Sequence, residues 1–231
     1  MDPLSHATGP RTLDRREGPY GEVVLRERRG PHGEIHEIIA NGCFLMDTSD
    51  GRSERLLMDA AYAALAGRPD PSVLIGGLGV GFSLARAAAE PGWSRIAVAE
   101  REQAIIDWHT TGPLRHLSAA ALADPRTTVL HTDLVAHLHS TSDTYDALCV
   151  DIDNGPDWTV TEGNGSLYAP DGLRACARCL NPGGVLAVWS AQPSRTFEQT
   201  LRNAGFSGVR TEEVAVARGV PDVVHLAVRP A

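Results

Sequence analysis

Three carboxylates stand at the ends of three successive apolar segments, where they could bind one ligand together. Glu100 ends RIAVAE, Asp133 ends TTVLHTD, and Asp151 follows YDALCV. We expect Glu100 to accept hydrogen bonds from both hydroxyls of a ribose, and Asp133 to reach an adenine amino group. Asp151 would lie beside the reacting centre, and the acidic rim would suit a ligand with a sulfonium cation. The three acids together predict a site for an adenosyl ligand.

A glycine turn within residues 73–84, VLIGGLGVGFSL, is the second feature of this site. Gly77, Gly79 and Gly81 would let the backbone approach a ligand closely at the carboxyl end of a strand. A dinucleotide-binding turn needs a small residue where this chain has Phe82, and a triphosphate-binding loop needs a lysine. The pattern therefore disfavours both ligands, and with them a NAD-dependent oxidoreductase. The turn alone would also fit a tight strand-to-helix connection that binds nothing.

The composition excludes several other classes of function. The chain has 231 residues and a net charge of −8, which argues against DNA or RNA as a partner. All 21 basic residues are arginine, so Schiff-base chemistry is excluded. Cys176 and Cys179 form a C-x-x-C without a second pair or a nearby histidine, so we expect no metal. No apolar run approaches about 18 residues and the N-terminus does not read as a signal peptide, so we expect a cytoplasmic protein without a membrane partner.

The elements that must position these residues follow from the alternation of short apolar segments with helix-like segments. This alternation predicts an α/β fold: a Rossmann-like, mostly parallel seven-stranded sheet that ends in an antiparallel pair, VRTEEVAVA and DVVHLAVRP. Upstream, period-two alternation predicts strands near 21–28, 33–39 and 43–47, followed by a helix that Ser53 caps. The predicted organisation is a flexible segment at 1–19, a small N-terminal β-strand region with its helix at 20–66, and the ligand-binding domain at 67–231.

Several of these segments resemble the class I S-adenosylmethionine-dependent methyltransferase fold and, within it, the spermidine-synthase-like branch. The resemblance runs from about residue 33 to the end. It is carried by ANGCFLMDTSDGRSERLLMDAA, by VLIGGLGVGFSL with RIAVAE, and by YDALCVDIDNGP with the LNPGG turn. It implies a homodimer. The N-terminal strands are too short to be stable alone, so we expect them to pack on the core or on a partner subunit.

The chain departs from that branch at positions that would bind a polyamine. Aminopropyl-transferring members carry an Asp where this chain has Gly79, a second acid where it has Asn154, and a Gln where it has Leu45. Their Tyr-His-Glu on the first helix becomes Leu-Met-Asp at residues 57–59. A diamine needs several carboxylates to offset the desolvation of its ammonium groups. The departures therefore predict a methyltransferase whose cofactor is intact S-adenosylmethionine, with the loop amides near Gly79 free to hold its carboxylate.

The segment DIDNGPDWTV is the expected floor of the acceptor pocket, with Trp158 as a stacking wall. The branch includes bacterial enzymes of secondary metabolism, and this resemblance implies C3 methylation of an indole, with a carboxylate or a phenol accepting the N–H proton. The predicted catalytic residues are Asp151 and Tyr20. The residues predicted to bind the cofactor are Gly77, Gly79, Gly81, Glu100, Arg101, Asp133 and Asp151, and those predicted to bind the small-molecule acceptor are Tyr20, His36, Asp153, Asn154 and Trp158.

Two other functions stay open at this point. One is an aminopropyltransferase of the spermidine-synthase type, in which other groups replace the missing polyamine ligands. The other is a non-catalytic protein on the same scaffold. Tyr20 and His36 would also fit simple surface or packing roles on the N-terminal strands.

Overall fold

The computed structural model of the chain describes residues 9–161, 163–216 and 220–231. The chain divides into two compact units, residues 1–50 and 51–231. The first unit is an antiparallel sheet and the second is the α/β domain. The predicted division between segments 20–66 and 67–231 stays a prediction.

The first unit is a four-stranded antiparallel sheet whose strands follow one another in chain order. The three strands predicted from the alternating pattern are present. A fourth strand precedes them and pairs with the next one from Arg11 opposite Glu27 to Gly18 opposite Gly21. The strands are β1 (Arg11–Gly18), β2 (Gly21–Gly30), β3 (Gly33–Ala40) and β4 (Cys43–Asp47).

Strand β1 corrects the prediction of a flexible segment over residues 11–18. Its sequence, RTLDRREG, offers few apolar side chains, which is why the pattern did not indicate a strand. Cross-strand charge pairs take the place of apolar contacts, because Arg11 bonds Glu27 at 2.9 Å and Arg15 bonds Glu22. Exposed pairs of this kind stabilise neighbouring strands only modestly.

The second unit contains a seven-stranded sheet in the order β10-β11-β9-β8-β5-β6-β7. The pairs among β5 to β9 are parallel, and β11 is antiparallel to both β9 and β10. This confirms the predicted Rossmann-like fold with a terminal antiparallel pair. The strands are β5 (Ser72–Gly76), β6 (Arg95–Glu100), β7 (Thr127–His131), β8 (Tyr145–Val150), β9 (Leu180–Ser190), β10 (Ser207–Val214) and β11 (Asp222–Val228).

Helices connect the parallel strands, as the pattern predicts. Within the described ranges, none of the helices is long and apolar enough to cross a membrane. The cytoplasmic location stays a prediction. The helices are α1 (Arg52–Ala64), α2 (Phe82–Ala89), α3 (Gln103–Thr110), α4 (Arg115–Leu122), α5 (Leu134–Ser140), α6 (Gly165–Tyr168), α7 (Pro170–Cys179) and α8 (Arg195–Asn203).

The strand order reverses at β5, which has β6 on one side and β8 on the other. In open α/β sheets the ligand crevice lies at this switch point, outside the carboxyl ends of the strands. Register brings the relevant ends together: Gly76 lies opposite Ala99 and Val150, while Val223 of β11 lies opposite Ser190. We refer to this side of the sheet as the carboxyl edge.

Candidate active site

The glycine turn adopts backbone angles that other residues rarely take. Gly77, Gly79 and Gly81 have φ angles of +94°, +50° and +93°. A side chain at Gly77 would clash with the backbone carbonyl of Asp151. The turn is also joined to the neighbouring strand, because the N–H of Gly77 donates to the carbonyl of Ala99 at 2.9 Å. Glycine is therefore required where the turn passes Asp151, and the backbone itself forms one wall of the crevice.

Glu100 is oriented by the backbone of the turn. Its side chain is buried, with 6% of the residue exposed, and Oε2 accepts the N–H of Leu78 at 3.0 Å. Oε1 accepts the N–H of Glu102 at 2.8 Å. Burial raises the pKa of Glu100, and these two hydrogen bonds counteract part of that rise. The two N–H donors hold the carboxylate in one orientation, and each of its oxygens keeps a further lone pair. The predicted contact with a ribose stays a prediction.

Asp133 and Arg101 form the next part of the edge. One oxygen of Asp133 caps α5 by accepting the N–H of Ala136 at 2.9 Å. The other lies 4.0 Å from Nη1 of Arg101, whose Nη2 donates to Thr161 at 3.2 Å. Arg101 therefore links the adenine side of the predicted site to the segment that follows β8. Contact of either side chain with an adenosyl group stays a prediction.

Asp151 lies at the centre of the edge in acidic surroundings. Its N–H donates to the carbonyl of Gly76 at 3.0 Å, and its side chain is partly exposed. Burial, followed by the negative charges of Glu54 and Asp222, raises the pKa of Asp151 to about 8. The hydroxyl of Ser53 donates to Asp222 at 2.7 Å and so ties the start of α1 to the start of β11. We refer to Asp151, Glu54 and Asp222 as the acidic trio.

Glu54 and Asp222 are the site residues that the sequence pattern did not reveal. Glu54 is in the first turn of α1, nearly a hundred residues before Asp151, and no motif marks it. Asp222 had a signal: it begins the last strand, and an antiparallel strand starts at the edge where its parallel neighbours end. In the part of the chain that the structure describes, no group of three or more His, Cys, Asp or Glu side chains is arranged to hold a metal ion.

Asp153 organises the segment after β8. Its carboxylate accepts the backbone N–H groups of Asn154 at 3.0 Å, Val160, and Thr161 at 3.3 Å. It also accepts the side-chain amide of Asn164 at 3.0 Å. These donors occupy the oxygens that a substrate would need, so the geometry gives Asp153 a structural role, and its predicted contact with the acceptor gains no support.

The remaining predicted acceptor residues lie in two different places. The carbonyl of Asn154 accepts the N–H of Ala191 at 3.1 Å, so Asn154 is fixed at the carboxyl edge. Trp158, in the same segment, is 59% exposed. Tyr20 is 42% exposed in the β1–β2 turn, and His36 is buried in β3 of the first unit. The predicted roles of Tyr20, His36, Asn154 and Trp158 stay predictions.

The parallel sheet, its glycine turn and the acids at its carboxyl edge define a domain of the class I S-adenosylmethionine fold. A family model described as the spermine/spermidine synthase domain matches residues 62–204. The chain therefore belongs to the spermine/spermidine synthase domain family.

Individual relatives are consistent with this family. The chain is 31% identical over 145 residues to a polyamine aminopropyltransferase of Mycobacterium tuberculosis, a match that covers 59% of this chain and 27% of the relative. It is 29% identical over 153 residues to a polyamine aminopropyltransferase of Nitrosomonas europaea, covering 66% of this chain and 45% of the relative. The chain thus spans less than half the length of these two relatives.

Solved structures share the fold. Spermidine synthase from Thermotoga maritima has a TM-score of 0.73 at 15% identity, with 95% of this chain and 73% of that chain covered. A spermidine synthase in complex with the transition state analogue AdoDATO has a TM-score of 0.74 at 16% identity, with coverage of 95% and 74%.

The predicted methyltransferase activity is wrong, and so are S-adenosylmethionine as its cofactor and an indole of secondary metabolism as its acceptor. The matched relatives are named polyamine aminopropyltransferases, which contradicts all three. The prediction rested on carboxylates that are missing at Gly79 and Asn154. In the structure, the negative charges of Glu54 and Asp222, which the prediction did not consider, act on Asp151.

Proposed function

We propose that the chain is an aminopropyltransferase, which moves a 3-aminopropyl group from decarboxylated S-adenosylmethionine to an aliphatic amine. The acidic trio is the observation that carries the proposal. The negative charges of Glu54 and Asp222 help to raise the pKa of Asp151, so the three carboxylates are costly to ionise together. A cationic ligand would relieve that cost. Membership of the family and the names of the relatives support the same reaction.

The trio suits both substrates of this reaction. The donor carries a sulfonium and an ammonium group, and the acceptor is an ammonium ion until it loses a proton. Desolvation of such cations is offset only where carboxylates face them. The net charge of −8 on the chain would also favour the approach of cations over that of anions.

Asp151 is the group best placed to take the acceptor's proton. In the transfer, a bond forms between the acceptor nitrogen and the terminal carbon of the aminopropyl group, and the bond from that carbon to sulfur breaks. The sulfur keeps the electron pair and leaves as the neutral thioether 5′-methylthioadenosine. The nitrogen must lose a proton to attack, and a carboxylate with a pKa of about 8 is a far better base than an ordinary aspartate.

The donor would lie along the turn and the strand ends. Glu100 is already oriented to accept ribose hydroxyls, and the turn from Gly77 to Gly81 would lie against the sulfur side of the nucleoside. Gly79 provides no carboxylate for the donor's amino group, so we assign that contact to the acidic trio. The homodimer and the absence of nucleic-acid and membrane partners stay predictions.

The test is an incubation with decarboxylated S-adenosylmethionine and a panel of aliphatic mono- and diamines. Mass spectrometry should detect the aminopropylated amine and 5′-methylthioadenosine in equal amounts. Intact S-adenosylmethionine should give neither product. If no amine yields product and decarboxylated S-adenosylmethionine does not bind, the proposal is wrong.

Variants of the trio make the test specific to the site. Glu54→Gln and Asp222→Asn should each raise KM for the amine about tenfold, since each removes one nearby opposite charge. Asp143→Asn is the matched control, because it removes the same charge from an exposed residue just before β8, away from the carboxyl edge. Equal effects of all three variants would point to general electrostatics and against a specific acceptor site.

A further inference from the structure

A buried histidine is hydrogen-bonded to the backbone of the glycine turn. His109 on α3 has no exposed surface, and its Nε2 lies 2.8 Å from the carbonyl oxygen of Gly79. Its Nδ1 lies 2.7 Å from the hydroxyl oxygen of Ser118, which is buried on α4. Both ring nitrogens therefore have partners, and the chain itself supplies both.

These partners determine where the imidazole carries its proton. A carbonyl oxygen can only accept, so Nε2 carries the hydrogen and donates it to Gly79. Nδ1 is then an acceptor, and the hydroxyl of Ser118 donates to it. Burial lowers the pKa of His109; the bond to Gly79 and a contact with the backbone of Leu114 oppose this change, and the charge of His116 adds to it. The ring is thus a neutral donor at neutral pH.

The position of this donor determines which way one peptide group of the turn faces. Val80 lies between two glycines with positive φ, and glycine tolerates many backbone angles, so an unsupported turn could rotate this peptide. In a trans peptide the carbonyl and the following N–H point in opposite directions. Because the carbonyl of Gly79 faces His109, the N–H of Val80 points away from the imidazole.

Gly81 leaves the space that the imidazole needs. A Cβ at Gly81 would lie 2.9 Å from Cε1 of His109 and 3.4 Å from Cβ of Ser118. The carbonyl of Gly81 meanwhile accepts the N–H of Ala85 at 2.9 Å and so starts α2. Because Gly81 has no side chain, the imidazole ring of His109 can pack directly beneath the turn.

We infer that His109 is a positioning residue of the donor site: its Nε2–H holds the Gly79 carbonyl and thereby keeps the turn from Gly77 to Gly81 in the one backbone conformation that lies against the nucleoside. Ser118 acts through His109 by selecting the tautomer that can donate. The inference rests on the proposed function only for the identity of the nucleoside. His109 itself does not touch the substrate and exchanges no proton with it.

The test compares three variants by calorimetric titration with 5′-methylthioadenosine and decarboxylated S-adenosylmethionine. His109→Leu keeps volume without a donor and should weaken binding about tenfold, because the Gly79 carbonyl loses its partner. His109→Gln keeps an N–H donor and should restore most of the affinity. Ser118→Ala should cost about threefold, since the donating tautomer is no longer enforced. His139→Leu, an exposed histidine on α5, is the control and should bind like the wild type.

Turnover should separate positioning from catalysis. His109→Leu should raise KM for the donor about tenfold and leave kcat at saturation within about threefold, because the reacting groups are intact. Binding by a folded His109→Leu variant within about twofold of the wild type would overturn the inference. If this variant does not fold, Ser118→Ala takes its place, and unchanged affinity there would count equally against the inference.

Two measurements on the ligand-free protein do not depend on the proposed function. Nitrogen-15 spectra of the ring should show the Nε2-protonated tautomer of His109 at neutral pH. The amide of Val80 should exchange with solvent faster in Ser118→Ala than in the wild type. A ring protonated on Nδ1 would overturn the inference. If the wild type binds no nucleoside, the proposed function fails, and these two measurements still decide the role of His109.

Discussion

Asp146 and Asp151 lie at opposite ends of the same strand, β8, and they differ in whether hydrogen-bond donors or negative charges surround them. Asp146 accepts hydrogen bonds from Arg68 at 2.5 Å, the hydroxyl of Ser72 at 2.9 Å and the side-chain amide of Asn181 at 2.8 Å. Burial alone would raise its pKa, yet the donors of Asn181, Ser72 and Arg68 together lower it. In the described part of the chain, no hydrogen bond or ion pair reaches the carboxylate of Asp151, which faces negative charge instead.

The difference separates a carboxylate that stabilises the fold from one that, under the proposed function, accepts the proton of the acceptor amine. Hydrogen-bond donors from β5, β9 and the segment after α1 meet at Asp146. Its carboxylate therefore holds these parts together at the end of the sheet where β8 begins. At Asp151, the fold tolerates an unfavourable arrangement that a cationic substrate would relieve. Perturbed carboxylates without compensation concentrate at functional sites.

The largest expected effect is on the rate of transfer. Asp151→Asn should lower kcat for aminopropyl transfer about 1000-fold, because the amide cannot accept the acceptor's proton. Binding of 5′-methylthioadenosine, measured by calorimetry, should change little, since Glu100 and the turn are untouched. A kcat within about tenfold of the wild type would remove Asp151 from the role of base.

The next effect tests the other end of β8. Asp146→Ala should lower the free energy of unfolding by about 3 kcal/mol, because it leaves Arg68 and the Ser72 N–H without their buried partner. Urea denaturation monitored by tryptophan fluorescence measures this loss. Asp143→Asn, an exposed acid three residues earlier, should change stability by less than about 0.5 kcal/mol. Similar losses in both variants would mean that the Asp146 network is not special.

The smallest effect concerns pH and distinguishes the two acids by sign. The pKa of Asp151 is about 8 in the folded chain against an ordinary value of 3.8, so between these pH values the folded state holds a proton that the unfolded state has released. The contribution of Asp151 to the free energy of unfolding is therefore fully present below pH about 4, and it is lost as pH rises to about 8. Asp146, with a lowered pKa, acts in the opposite sense and stabilises at higher pH.

Urea unfolding of the wild type and of Asp151→Asn between pH 5 and 9 measures this linkage. With rising pH, the free energy of unfolding of the variant should increase relative to that of the wild type. At pH 9 the variant should be more stable by about 2 kcal/mol. This is less than the pKa change alone would give, because Asp151 is partly exposed. A difference that is constant with pH, or that shrinks as pH rises, would contradict the raised pKa.

The fold was largely predictable because it depends on local patterns. Alternating apolar strands and helices, the glycine turn from Gly77 to Gly81 and the antiparallel tail all appear in the sequence as contiguous signals. Strand β1 did not, because Arg11 and Arg15 pair with acids across the sheet instead of burying apolar surface.

The site was predictable only where its residues follow strands. Glu100, Asp133 and Asp151 could be placed on one edge because the carboxyl ends of parallel strands coincide. Glu54 and His109 come near these residues only through contacts between distant parts of the chain, which no spacing records. Asp222 was overlooked although it begins the last strand at the same edge. The choice of reaction failed for this reason: it weighed the carboxylates absent at Gly79 and Asn154 without those that the fold brings from elsewhere.

The hydrogen bonds of Asp153 fix the base of the segment that follows β8. One carboxylate gathers donors from both ends of the segment 154–161, and Gly155 packs so closely on Ser190 that no side chain fits there. The base of the segment is thereby fastened independently of its tip, where Trp158 is exposed. Residues at the tip can therefore be exchanged without disturbing the sheet, so the segment can vary in sequence by local replacement.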